Sequence, residues 1–222
     1  MTMDEFDAYV KAYRDTPMSG YEGMTKGEAF YKPMVQIIDY LNANDFQVYI
    51  VSGTDRFIVR GLVDGTLDIP MNHLIGSDER VAATGQGDTD GLEYTYKSDD
   101  ELILAGDFQM KTLKMNKVTV IEREIGLQPV LSFGNSSGDF AMDQFTITNN
   151  PYRSLAFQLC CDDLERENGN AEKADKMRTS CEELGLIPIS MKDDWTTIYG
   201  DGVKRKSIPN EEFTQEALDD AA

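Results

Sequence analysis

Histidine and tryptophan are almost missing from this sequence: His73 and Trp195 are the only examples of each. No nucleophile–His–acid triad can be built around His73 in any order. Cysteine is scarce as well. Cys160, Cys161 and Cys181 form neither a zinc spacing nor a C-x-x-C pair. Neighbouring cysteines rarely bridge, because a disulfide needs Cα atoms about 4.4–6.8 Å apart with suitable directions, so buried small apolar residues at a strand end are expected. No apolar run approaches the ~20 residues of a membrane span, and residues 1–15 are acidic and polar with no leader pattern. Neither a G-x-G-x-x-G nor a Walker loop is present, which sets a plain nucleotide-binding domain low. Cations are the last deficit: 21 basic against 40 acidic residues give a net charge of −19. That field repels phosphate backbones and argues against nucleic acid as a partner. An anionic substrate would need a local cation, either a bound metal ion or a lysine.

What is present is globular. With 41% apolar and 27% charged residues over 222 positions, the chain can bury one sizeable core. A short helix is expected over 4–14, ended by Thr16-Pro17 and Ser19-Gly20. Met34, Ile37, Ile38 and Leu41 fall at helical spacing within 31–42 and predict one buried stripe. Residues 46–51 then read as a strand and 55–67 as a helix stopped by Ile69-Pro70. Between 73 and 108, short alternating segments among Gly and Asp turns (Glu93 to Tyr96, Leu102 to Leu104) predict a β-hairpin insertion. Residues 117–125 read as a helix, 130–133 and 152–159 as strands, 171–184 as a helix and 187–189 as a last short strand. The tail from Lys204 lacks apolar spacing and is expected to be mobile.

The most informative stretch runs from Pro129 to Met142, P-V-L-S-F-G-N-S-S-G-D-F-A-M. An apolar strand ends at Gly134, and a polar turn then leads to a helix starting near Gly138. Side chains at the carboxyl end of such a strand face the crevice where open α/β sheets bind ligands, and Asp139 is placed to do so. The plainer reading makes Asp139 or Ser137 a helix cap. Val48 to Asp55, V-Y-I-V-S-G-T-D, repeats the design, and Asn116-Lys117 opens the helix between the two.

Taken together, V-S-G-T, the helix-opening lysine and F-G-N-S-S-G-D-F-A-M resemble motifs II, III and IV of the haloacid dehalogenase-like (HAD) phosphohydrolases, in that order. Lys117-x3-Ile121-x3-Ile125-Gly126-x2-Pro129 with G-N-S-x-G-D, and the downstream D-L-E-R-E at 163–167, are similar to one bacterial branch; the match spans roughly residues 28–199. The resemblance implies an α/β fold, a Rossmannoid three-layer sandwich of HAD type over 28–200. Residues 1–27 would be the remnant of a helical cap and 201–222 a tail. It implies an Mg²⁺-dependent phosphatase acting on a small phosphorylated substrate. Ser52 would supply the motif II hydroxyl, Gly53 the close approach to phosphate, and Thr54 either a phosphate contact or a helix cap. Lys117 would be the phosphate lysine by its spacing to Gly126 and Gly134, with Lys114 as runner-up. Asp139 and Asn135 would face Mg²⁺, Asn135 standing where the family usually has an acid and Ser137 where the branch often has Asp. Asp163, Glu165 and Arg166 would line the substrate pocket, or else form an acidic helix start.

One part of that pattern is missing. The family carries its nucleophile in a D-x-D at the end of an apolar strand upstream of motif II, and no D-x-D precedes Ser52. Asp64 in V-D-G-T-L has Leu62 where the nucleophile belongs and comes after motif II. Asp88-Thr89-Asp90 follows T-G-Q-G, which cannot be a buried strand. The expectation is an amino-terminally shortened chain, inactive alone, of a parent that hydrolyses phosphomonoesters. The alternative is a degenerate domain that binds a phosphorylated ligand or a partner without turnover. Location and oligomeric state stay open, export of the parent included.

Overall fold

The computed structural model describes residues 1–206. In chain order its elements are α1 (Met3–Arg14), β1 (Tyr21–Glu22), α2 (Lys32–Ala43), β2 (Ile50–Asp55), α3 (Arg56–Val63), β3 (Leu74–Ala83) and β4 (Leu102–Met110). Then follow α4 (Met115–Glu124), β5 (Leu131–Gly134), α5 (Phe140–Ile147), β6 (Leu155–Cys160), α6 (Ala171–Leu184), β7 (Ile187–Ser190) and β8 (Lys204–Arg205). The fold is mixed α/β with open sheets. One sheet has the order β2-β3-β4 and another β5-β6-β7, and a small ladder joins β1 to β8. β2 runs parallel to β3, and β5, β6 and β7 are all parallel. No helix among the described residues is long and apolar enough to cross a membrane.

Local chemistry sets the ends of these elements. Thr2 accepts the Glu5 N–H while the Glu5 carboxylate accepts the Thr2 N–H, a capping box that starts α1. α1 packs on α3, where a side chain at Gly61 would collide with Val10. Asn170 caps α6 by accepting the Lys173 N–H, and Gly185, at φ 71°, ends it in the left-handed conformation. The predicted hairpin exists as β3 and β4, but β3 is an interior strand. Its first half, the buried residues 74–77, pairs with β2, and its second half, 78–83, pairs with β4. Glu93 to Tyr96 is a turn end and irregular backbone rather than a strand. The Asp100 carboxylate draws the Gly85 and Lys97 N–H groups and the Tyr94 hydroxyl to itself, which takes this backbone out of ladder pairing.

The apolar stripe of α2 is present, yet no residue of α2 is fully buried. Strand β2, expected from residue 46, begins pairing only at Ile50, and none of its residues is fully buried either. Both observations have one cause: α2 and β2 border a cavity between the two sheets. At the other end of the chain, Lys204 and Arg205 pair with Glu22 and Tyr21 as β8, where a tail had been expected. The rest of that tail, 207–222, lies outside the described residues.

The three cysteines are free, Cys160 and Cys181 buried and Cys161 partly so. The core separates into packed groups: Val59, Val63, Ile69 and Leu74 under the first sheet, and Leu159, Met191, Trp195 and Ile198 beside the second.

Candidate functional site

Strand β2 and the turn after β5 meet at one lysine. Lys117 lies in the first turn of α4, and only 6% of its surface is exposed. Its ammonium sits 2.7 Å from Asp139 Oδ1 and donates to the Val51 carbonyl on β2. Asp139 closes the turn after β5, and its other oxygen accepts the N–H of Asn135 at 3.0 Å, the N–H of Ser136 at 3.1 Å and the Ser136 hydroxyl at 3.1 Å. The 135–139 turn is therefore folded around a carboxylate. Asp139 stands at the start of α5, yet its side chain makes no capping bond to that helix. It organises the loop and pairs with the lysine.

The start of α4 is fastened to the first sheet by a short polar stack. Ser77 on β3 donates to the Gly53 carbonyl and accepts the Thr112 N–H, while Thr112 donates to the Gly76 carbonyl. The 112–114 turn consequently lies close on Gly53, where an added Cβ would stand 2.5 Å from Leu113. Leu113 is exposed and its side chain can swing aside, so this contact alone does not demand a glycine at 53. Lys114 takes the rare φ of 53° in that turn, and its own N–H donates to the Gly138 carbonyl. Its side chain is exposed, so Lys117 and not Lys114 enters the crevice.

Of the other expected site residues, Ser52 accepts the Thr54 N–H at 3.0 Å, next to the carbonyl that Lys117 holds. Thr54 does not cap α3; Asp55 does, accepting the N–H groups of Phe57 and Ile58. Asn135 contributes its backbone to Asp139, and its side chain is exposed. Asp163 and Arg166 are engaged with each other at 2.5 Å. Arg166 also donates to the carbonyls of Met191, Lys192, Trp195 and Thr196, so the pair ties the 191–196 loop down. Glu165 is exposed, and the 163–167 segment is a turn rather than a helix start. The two D-x-D imitations have other partners or none. Asp64 pairs with Lys11, and Asp88 and Asp90 are exposed in the turns before β4.

A second carboxyl escaped the sequence reading. Asp143, one helical turn after Asp139, is fully buried. It accepts the Ser132 hydroxyl at 2.8 Å and an amide N–H of Gln158. Burial pushes its carboxyl above the usual carboxylate range, although the bonds from Gln158 and Ser132 work the other way. Gln158 Oε1 has no partner among the described residues. A proton on Asp143 would supply one once the amide turns over. The signal was available: acids at i and i+4 of a helix share a face.

Among the described residues, no group of three or more His, Cys, Asp or Glu side chains could hold a metal ion. Asp139 is one hard-oxygen donor of the type Mg²⁺ takes, but its oxygens are already engaged by four donors. These residues alone do not make a magnesium site. Compared with models of known protein families, the chain matches none, and no characterised protein matches it in sequence either.

Proposed function

We propose that the chain is the phosphate-handling part of an HAD-type phosphohydrolase, a Rossmannoid sandwich acting on small phosphomonoesters in a complete parent protein. The observation that supports this reading best is the buried Lys117 ammonium held between Val51 of β2 and Asp139. A desolvated cation beside the turn that follows the parallel strand β5 is placed to receive an anionic group. Of its three N–H donors, two are committed to Val51 and Asp139, which leaves one for a phosphoryl oxygen. Ser52 and the backbone beside Gly53 border the same spot. The attacking carboxylate comes from a strand outside this sequence. Mg²⁺ belongs to the proposal only for the parent, where that carboxylate would join Asp139.

A second reading has its own support. The saturated Asp139 carboxylate suits a domain that binds a phosphorylated ligand without turnover. Variants of the parent separate the two. Under the hydrolase reading, Asp139→Asn lowers the rate and raises the Mg²⁺ midpoint, more than Asn135→Ala does, because Asp139 carries charge and Asn135 only a dipole. Lys117→Ala lowers the rate with little change in that midpoint. If Asp139→Asn keeps full rate and an unchanged Mg²⁺ midpoint, Asp139 only organises its loop and the hydrolase reading of it fails.

A further inference from the structure

Between Asp107 and Glu122, and again between Glu124 and Asp139, the sequence holds no acid, although the whole chain carries 40. The first of these runs contains Lys111, Lys114 and Lys117. Folding brings the two runs together: the Lys114 N–H donates to the Gly138 carbonyl at 2.9 Å, and Lys117 pairs with Asp139 at 2.7 Å. In a chain of net charge −19, a local concentration of lysine is what draws an anion to one place.

Lys114 is the unusual member of this group. The Asn116 N–H donates to the Leu113 carbonyl at 3.1 Å and closes a turn over 113–116. At φ 53° and ψ −128°, Lys114 takes the first inner position of a type II′ turn, where glycine is the ordinary residue. A side chain held in that conformation is strained. The residue that carries the strain is an exposed lysine with no ion-pair partner among the described residues. The turn lies against both neighbouring loops, with Leu113 beside Gly53 and Gly138, and the Lys114 carbonyl accepts the Lys117 N–H at 3.0 Å. Lys114 therefore stands over the junction of the 52–54 and 135–138 loops, one turn before the buried lysine. Its stem reaches roughly 6 Å from the backbone and ends in an ammonium with free donors.

The two lysines suit different tasks. Lys117 is 6% exposed and has one N–H to spare, which suits a single phosphoryl oxygen. We infer that Lys114 is a specificity-determining residue: it receives a second anionic group, a carboxylate or another phosphate, carried a few bonds away from the phosphoryl group at Lys117. The substrates it selects are small bisphosphates and phosphorylated acids, and simple alkyl phosphates are poorer ligands. This inference rests on the phosphate reading of Lys117.

The test follows amide chemical shifts of the full chain by NMR with methyl phosphate, phosphoglycolate and inorganic pyrophosphate. The titrations run in about 0.15 M salt, where only charges within about 8 Å act strongly. Methyl phosphate should shift the amides of Lys117 and Asp139. Phosphoglycolate and pyrophosphate should also shift Lys114 and bind about tenfold more tightly, the gain from one further charged hydrogen bond. Lys114→Gly relieves the strained turn, so Tm should not fall, while the tenfold preference should drop below twofold. Lys114→Arg keeps the charge and should keep the preference. No preference in the unsubstituted chain, or a preference that survives Lys114→Gly, overturns the inference and leaves the phosphate reading standing. Shifts confined to other segments overturn both, as does the absence of any shift at tens of millimolar ligand.

Discussion

Asp139→Asn and Lys117→Met remove opposite halves of one buried ion pair, and they should not cost the same. The pair is nearly dry, with side-chain exposures of 8% and 7%. In Asp139→Asn the ammonium keeps one carbonyl, that of Val51, and faces an amide instead of a carboxylate. Stranding a buried charge in this way costs about 3–5 kcal/mol. In Lys117→Met the carboxylate keeps the N–H groups of Asn135 and Ser136 and the Ser136 hydroxyl, so its remaining charge stays solvated by three donors. The expected loss is about 1.5–3 kcal/mol, that of a single hydrogen bond to a charged group. The double variant strands neither charge and should be more stable than Asp139→Asn alone. Urea unfolding measures all three, and for a domain of this size Asp139→Asn should lower Tm by about 10 °C. Equal losses, the reverse order, or an additive double variant would refute the reasoning, because each requires the two side chains to act independently.

Asp143 predicts a pH effect. Its folded carboxyl lies above the usual range through burial, so its contribution is fully present below the unfolded value of about 3.9 and is lost as pH rises through the folded one. Asp143→Asn should match the parent chain near pH 4 and gain in Tm relative to it by pH 7; an unchanged difference across that range contradicts the assignment. Gly76→Ala should cost about 3 kcal/mol or more, since its Cβ would stand 2.5 Å from the Arg56 backbone. Gly65→Ala meets nothing within 4 Å and strains only a φ of 71°, for about 1–2 kcal/mol; chemical denaturation ranks the two. Arg166→Lys loses the fork that holds four carbonyls of the 191–196 loop and should cost about 2–4 kcal/mol. Trp195, the only tryptophan, reports that loosening directly as a red shift of its emission.

The parts of the structure legible in the sequence are those set by local chemistry. Residues 171–184 form α6 as expected, because a capping asparagine and a terminal glycine mark its ends. The turn from Gly134 to Asp139 was legible for the same reason. Lys117 could be preferred to Lys114 from spacing to two glycines, and the φ of 53° at Lys114 is what turns the latter outward. What the sequence hid depends on distant partners. The α2 stripe promised burial, but nothing among the described residues fills the gap it faces. Lys204 and Arg205 have no strand pattern of their own, and Tyr21 and Glu22 supply the pairing. The hold of Arg166 on the 191–196 loop was hidden because its four carbonyl partners lie 25 or more positions away. Asp143 was passed over because its role depends on Gln158 of β6, fifteen residues on.

The most direct test of the functional account is turnover of p-nitrophenyl phosphate with Mg²⁺, by this chain alone and by the same chain joined to an upstream apolar strand ending in Asp-x-Asp. The account predicts no turnover for the chain alone and metal-dependent turnover for the joined form, lost again in Lys117→Ala. Clear metal-dependent turnover by the chain alone would contradict it, and so would a joined, folded protein indifferent to Lys117.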